Sequence, residues 1–204
     1  MGFYDLSKQE RSQLVEEVYN ALYDGFKAKS YDHILDCFSD DDTYIRKSAY
    51  LQLGKIFYAQ IELQQAIINF LEREIYNENP KIRQTVINAA GEIGKFHFNK
   101  VNTLFDIGLV DEHHSVRNAV IGSMKKMGEK DPKSIIDWSK PFLTHESPEI
   151  RRQVCHGLEL RGRTHPQDIL PLLQLLEFDT HKRVKTTLIH VLGQVAYKMV
   201  VYKR

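Results

Sequence analysis

The side chains with chemistry to offer stand at regular intervals along this 204-residue chain rather than in one cluster. A basic residue follows Ile or Val at Ile45-Arg46, Ile82-Arg83, Val116-Arg117, Ile150-Arg151 and Val184-Lys185, each time just after an acidic or polar turn. The first step between these basic residues is 37 residues, and the next three are 34 each. Such a ladder has two readings. One is a basic track for phosphates or acidic peptides. The other is a set of hydrogen bonds and ion pairs between successive repeats, with Asp42, Glu78, Asp111, Glu112 and Glu149 as nearby partners. The basic residue recurs together with apolar core positions in every unit, which favours the structural reading.

Five residues beyond Arg151 and Lys185 stand His156 and His190, at equivalent places in neighbouring repeats. Packed helices lie about 8–10 Å apart, so the two rings can face one another. A shared metal would need a third ligand, and the linear sequence makes none evident. His113-His114, beside Asp111 and Glu112, has metal-ligand residue types but reads as an exposed turn. Trp138 lies in a first helix of a pair. Partial burial against Pro141 and Phe142 is a better account of it than base stacking. The nucleophile elbow Gly-x-Ser-x-Gly, the zinc motif His-Glu-x-x-His and the phosphate-loop glycine motif are all missing. Cys37 and Cys155 are far apart and form no Cys-x-x-Cys. Cys155 sits in an apolar helical pattern and reads as a packed thiol. The expectation is therefore no catalytic residue, no cofactor and no metal.

Helices must position these groups. Three and seven residues after the basic positions stand Ala49 and Leu53, Val86 and Ala90, Val120 and Met124, Val154 and Leu158, and Leu188 and Leu192. With the preceding Ile or Val, they form one face of an α-helix. Gly54, Gly91 and Gly193, one residue further on, read as sites of close helix packing. Gly94, Gly128 and Gly162 read as left-handed residues closing a helix. A first amphipathic helix precedes each phrase, clearest at 61–76 with Ile61, Ala66, Ile67, Phe70, Leu71 and Ile75 apolar, then at 98–110, 133–144 and 167–178. Pro80 and Pro148 start second helices at the position where a missing N–H costs least. Nearer the start, Ser7 and Glu10 form a capping box for a helix from Lys8 to about Ala28, with Leu14, Val15, Val18, Leu22 and Phe26 inward. A shorter helix follows at 31–38.

Composition is that of an ordered globular chain, 42% hydrophobic and 27% charged, with a formal net charge of +1. No overall field draws it to nucleic acid or membrane. The first half leans slightly acidic and the second slightly basic. No signal peptide and no transmembrane run are expected, and a cytoplasmic location fits that expectation. Residues 200–204 offer little capping after the fifth phrase, so a truncation or a partner at that end is an open alternative.

The Asp-x-x-x-Val-Arg phrase opening each second helix resembles HEAT-type repeats in their short bacterial form, over residues 41–198. Tetratricopeptide repeats share the 34-residue period, but their Trp, Leu-Gly and Tyr pattern is missing. The resemblance implies an all-α fold: a right-handed α-α superhelix, a HEAT/armadillo-like solenoid of about five helix pairs. It would form one domain over 1–204, with 1–40 as capping helices. HEAT-like folds serve scaffolds, chromophore lyases and a group of DNA alkylation-repair glycosylases. The run from Glu149-Ile-Arg-Arg-Gln-Val to Lys198 looks like the last repeats of that glycosylase group. By repeat register its catalytic aspartate falls at about Arg117, and one of its aromatics at about His190. Only Arg152 keeps a matching type. An acid replaced by a base argues against the same chemistry.

In such solenoids the second helices line the concave side. Asn88, Asn118, Lys126, Arg152, His156 and His190 are the candidate binding residues of that polar, mildly basic surface. The function expected is a non-catalytic HEAT-repeat scaffold binding a protein partner on its concave face. The alternative is a nucleic-acid-binding protein related to the alkylation-repair group, and a third is a chromophore lyase. No membrane association is expected.

Overall fold

A computed structural model describes residues 2–201 of the chain, so Tyr202, Lys203 and Arg204 of the terminal stretch lie outside the described residues. The described residues form helices and connecting turns only. The α-helices are α1 Lys8–Ala28, α2 Asp32–Ser39, α3 Thr43–Ala59, α4 Gln64–Glu74, α5 Pro80–His97, α6 Asn102–Leu109, α7 His114–Lys130, α8 Pro132–Ser139, α9 Pro148–Gly157, α10 Glu159–Thr164, α11 Pro166–Leu173 and α12 Lys182–Val201.

Several helices start where the local chemistry favours it. Ser7 Oγ accepts from the Glu10 N–H, and Glu10 Oε2 accepts from the Ser7 N–H at 2.7 Å, which completes the capping box of α1. Asp42 and Asn79 cap α3 and α5 through the N–H groups of Tyr44 and Lys81. Pro80 and Pro148 occupy the first turn of α5 and α9. The first helices of the pairs are shorter than the apolar pattern implies. Residues 61–63, 98–100, 140–144 and 174–176 wind as 3-10 turns beside α4, α6, α8 and α11.

The chain divides into two compact units, Met1–Ala119 and Val120–Arg204, with the division inside α7. In the first unit α3 packs between α1 and α5, while α2 touches both α3 and α5. Phe26, Phe38 and Phe70 meet edge to face there, with ring centroids 5.5–5.7 Å apart. In the second unit α9 and α10 lie on α12, and α10 also contacts α11. The repeating face is the core: Val86, Val120 and Val154 are all fully buried.

Several apolar expectations fail, each for a local reason. Ile45 is only half-buried, and Ile61 points outward from a 3-10 turn at 79% exposure. Leu14 and Val15 of α1 are half-buried, on the rim of the face that Val18, Leu22 and Phe26 bury. Leu192 is 38% exposed, because among the described residues no later helix covers that side of α12. It lines a groove of about 410 Å³ with Leu170, Leu173 and Leu188. The glycines of the late set do not close helices in a left-handed conformation. Gly94, Gly128 and Gly162 lie inside α5, α7 and α10, and no described glycine has positive φ. A Cβ on Gly162 would sit 2.9 Å from Val195 Cγ2, so there small size serves packing. Among the described residues the one positive φ belongs to Lys29, which closes α1 at φ 55°.

Close packing at the earlier glycine set holds at Gly54, where a Cβ would lie 2.8 Å from Glu92 Cβ, and not at Gly193, which has open space around it. Gly122, inside α7, likewise meets nothing within 4 Å. The two sites therefore predict opposite signs in thermal denaturation. Gly54→Ala should destabilise by roughly 1–3 kcal/mol, because the contact is with the fixed root of a side chain. Gly122→Ala should stabilise by roughly 0.5–1 kcal/mol through helix propensity alone.

Candidate functional site

The basic ladder is structural in its geometry. In four repeats the arginine one turn into the second helix reaches back and donates to two carbonyls of the preceding turn. Arg46 reaches those of Asp40 and Asp41, and Arg83 those of Asn77 and Glu78. Arg117 reaches those of Asp111 and Glu112, and Arg151 those of His145 and Glu146. Two of the four also pair with an aspartate 28 residues ahead: Arg83 with Asp111 at 2.7 and 3.0 Å, and Arg151 with Asp179 at 2.5 and 3.1 Å. Burial opposes ionisation of Asp111. The Arg83 hydrogen bond and the His113 N–H outweigh it and hold the carboxyl below its ordinary value. Of the partners expected from sequence, Asp111 serves, Glu112 sits 3.5 Å from Arg83 at the surface, and Glu78 offers only its carbonyl. Asp42 caps α3, and Glu149 pairs elsewhere. Lys185 is exposed.

The two histidines do face one another. Their ring centroids are 6.0 Å apart and nearly perpendicular. Between them stands a residue the repeat pattern did not single out, Glu159. His156 lies in the last turn of α9 and Glu159 opens α10, so the i,i+3 spacing puts both on one face. His156 Nε2 is 3.1 Å from Glu159 Oε2, and His190 Nε2, from α12, is 3.7 Å from the same oxygen. Lys125 Nζ of α7 donates to Oε2 at 3.0 Å, and Arg163 reaches Oε1 at 3.2 Å. Burial would raise the Glu159 carboxyl, but the Lys125 hydrogen bond and the charges of Lys125, Arg163 and His156 keep it below its ordinary value. Burial and the Lys125 charge lower His156. Glu159 itself is buried, whereas His190 is half-exposed, so the cluster opens to solvent on the α12 side.

The other candidate residues fall out differently. Arg152 forms a fork with Glu149 at 2.9 and 2.7 Å, and Arg183 lies 3.7 Å from the same carboxylate. Lys126 is half-buried in α7. Asn88 donates to the Gln84 carbonyl of its own helix at 2.9 Å, and Asn118 is exposed; both belong to the first unit, whereas the other four belong to the second. Trp138 is half-buried, 5.0 Å from the Phe142 ring. His113 and His114 stack on one another at 4.7 Å, with His113 Nδ1 on Ser115 Oγ. Cys155 is fully buried, and burial pushes its thiol up to about 12, which makes it a packing residue.

No protein-family model matches the chain, and no curated protein matches it. Among solved structures it is similar to YibA of Escherichia coli, at 21% identity over 86% of this chain and 62% of that one, with a TM-score of 0.50. The chain thus spans less than two thirds of the length of YibA. It is also similar to an archaeal HEAT-like repeats protein from Thermococcus onnurineus NA1 (16% identity, 93% of this chain and 80% of that one, TM-score 0.46). A designed armadillo repeat protein in complex with the peptide (KR)4 aligns at 12% identity over 95% and 96% of the two chains, with a TM-score of 0.41. The fold is all-α and of the HEAT/armadillo-like repeat type, as the helix pairs and the YibA likeness show.

The Glu149 fork carries a pH signature. Arg152 hydrogen bonds hold its carboxyl at about 2 against an ordinary 4.5. A depressed carboxyl stabilises the fold above its unfolded pKa, and that stability disappears as pH falls from 4.5 towards 2. Glu149→Gln should therefore flatten the fall of Tm across this acid window and leave its slope above pH 6 unchanged, as read by thermal melts at stepped pH.

Proposed function

We propose that this chain is a non-catalytic repeat scaffold of the cytoplasm. It binds an acidic segment of a protein partner on the face built by α9, α10 and α12. One observation supports the reading above others. Around that face Lys125 of α7 together with Arg152, Arg163 and Arg183 puts four cations against two carboxylates, Glu149 and Glu159, among the described residues. The ladder arginines are spent on backbone carbonyls and aspartates, so the basic lean of the surface comes from these other side chains and from the two histidines. A surplus of fixed positive charge steers acidic partners and sets register more than it adds bulk affinity. The affinity itself would come from a few central side chains, with Arg163 and His190 at the middle of the patch.

The same surplus favours nucleic acid as a second reading, because Lys182 and Lys185 extend it along exposed α12. Fluorescence anisotropy with a labelled oligoglutamate peptide and a labelled single-stranded oligonucleotide, at low and moderate salt, separates the two. The scaffold reading expects the peptide to bind more tightly at equal salt. It also expects Arg183→Glu to weaken that binding by about tenfold, the loss of one charge contact of about 1.4 kcal/mol. Tighter oligonucleotide binding that collapses with salt would replace it with the nucleic-acid reading. Binding of neither probe at low salt would contradict both.

A further inference from the structure

The cluster around Glu159 has a capacity that goes beyond partner docking and does not depend on it. We propose that His156, Glu159 and His190 form a binding site for a divalent transition-metal ion of the zinc class. The three donor atoms come from three helices and lie within 4.8 Å of one another. Two imidazole nitrogens and one carboxylate oxygen make a set that zinc accepts, with metal–ligand bonds of about 2.0–2.2 Å and donors consequently about 3.4 Å apart in a tetrahedron. The present separations of His156 Nε2 and His190 Nε2 from Glu159 Oε2, 3.1 and 3.7 Å, bracket that value. With all three donors within 4.8 Å of one another, closing onto one ion asks for shifts of about an ångström. The solvent-facing side beyond His190 leaves the fourth position to water.

The site is built, because its carboxylate is held in place. Arg163 fixes Oε1, and burial of Glu159 between α9, α10 and α12 limits its rotamers. Outer contacts of this kind orient a ligating carboxylate. Lys125 is the competitor. Its ammonium sits 3.0 Å from the same Oε2 that would bind the ion and supplies the positive charge there. A four-carbon stem lets that ammonium swing away, so the site has two cationic occupants in exchange: Lys125 or the metal. Zinc binding therefore displaces the Lys125 contact rather than adding to it.

The test is Zn²⁺ binding to the full chain, freed of metal with a chelator and titrated against a chromogenic competitor, with Co²⁺ absorption as a report of geometry. One equivalent should bind, and Co²⁺ should give the intense visible bands of four-coordinate ligation. His190→Ala removes a half-exposed ring and spares the fold, which circular dichroism checks. It should weaken binding by at least ~10-fold, and His156→Ala likewise. Lys125→Met should tighten binding several-fold, which a purely structural salt bridge would not do. The proposal is overturned if no stoichiometric Zn²⁺ binds, or if both histidine variants bind as the parent does. It is equally overturned if Lys125→Met leaves the affinity unchanged or weaker. None of these outcomes bears on oligoglutamate binding by the metal-free chain, so the two readings fail separately.

Discussion

The structure depends on one hydrogen-bonding arrangement more than on any other: a guanidinium near the start of a second helix that closes the turn before it. A turn between packed helices leaves carbonyls that have no helical partner. In four successive repeats an arginine supplies that partner twice over, from residues 46, 83, 117 and 151. Only a rigid fork with several donors serves two carbonyls and, at Arg83 and Arg151, a carboxylate as well. The apolar face behind it then has a fixed angle of entry, and Val86, Val120 and Val154 come into the core in the same register.

With those arginines spent on the backbone, the chemistry of the surface falls to the positions beside them. In the second unit this concentrates charge around Glu159. A buried carboxylate is tolerable only when paired, and here Lys125 and Arg163 pair it. The two histidines complete the ring. The same constraint that builds the stack thus makes a cationic, solvent-reaching cluster on one face, which supports both the docking and the metal proposals.

Much of this was legible in the residues. The capping box of Ser7 and Glu10, the prolines at 80 and 148, and the apolar spacing after each basic residue are local signals, and local signals survive folding. The facing of His156 and His190 followed from repeat register alone. Glu159 did not. The second helix of that pair breaks at Leu158 and restarts as α10, so a position that is glycine in three other repeats (Gly54, Gly91 and Gly193) and Lys125 in the fourth turns an acid towards its neighbours. Asp179 was equally hidden, since its role depends on Arg151 lying across a helix pair, 28 residues away. The glycines at 94, 128 and 162 misled because their spacing matches a helix end, whereas tertiary packing carries the helices through them. Ile61 and Leu192 kept the period but lost the cover, the one to a 3-10 turn and the other to the lack of a further helix among the described residues.

The most direct measurement is the melting temperature of Arg83→Lys, a change that keeps the charge and removes the fork. Arg83 is buried and serves two carbonyls and Asp111 together. Breaking such a network costs about 2–4 kcal/mol. The account therefore predicts a Tm lower by roughly 4–16 °C. An unchanged Tm would contradict it and return the ladder to the reading in which its positive charge, and not its hydrogen-bonding geometry, is what matters.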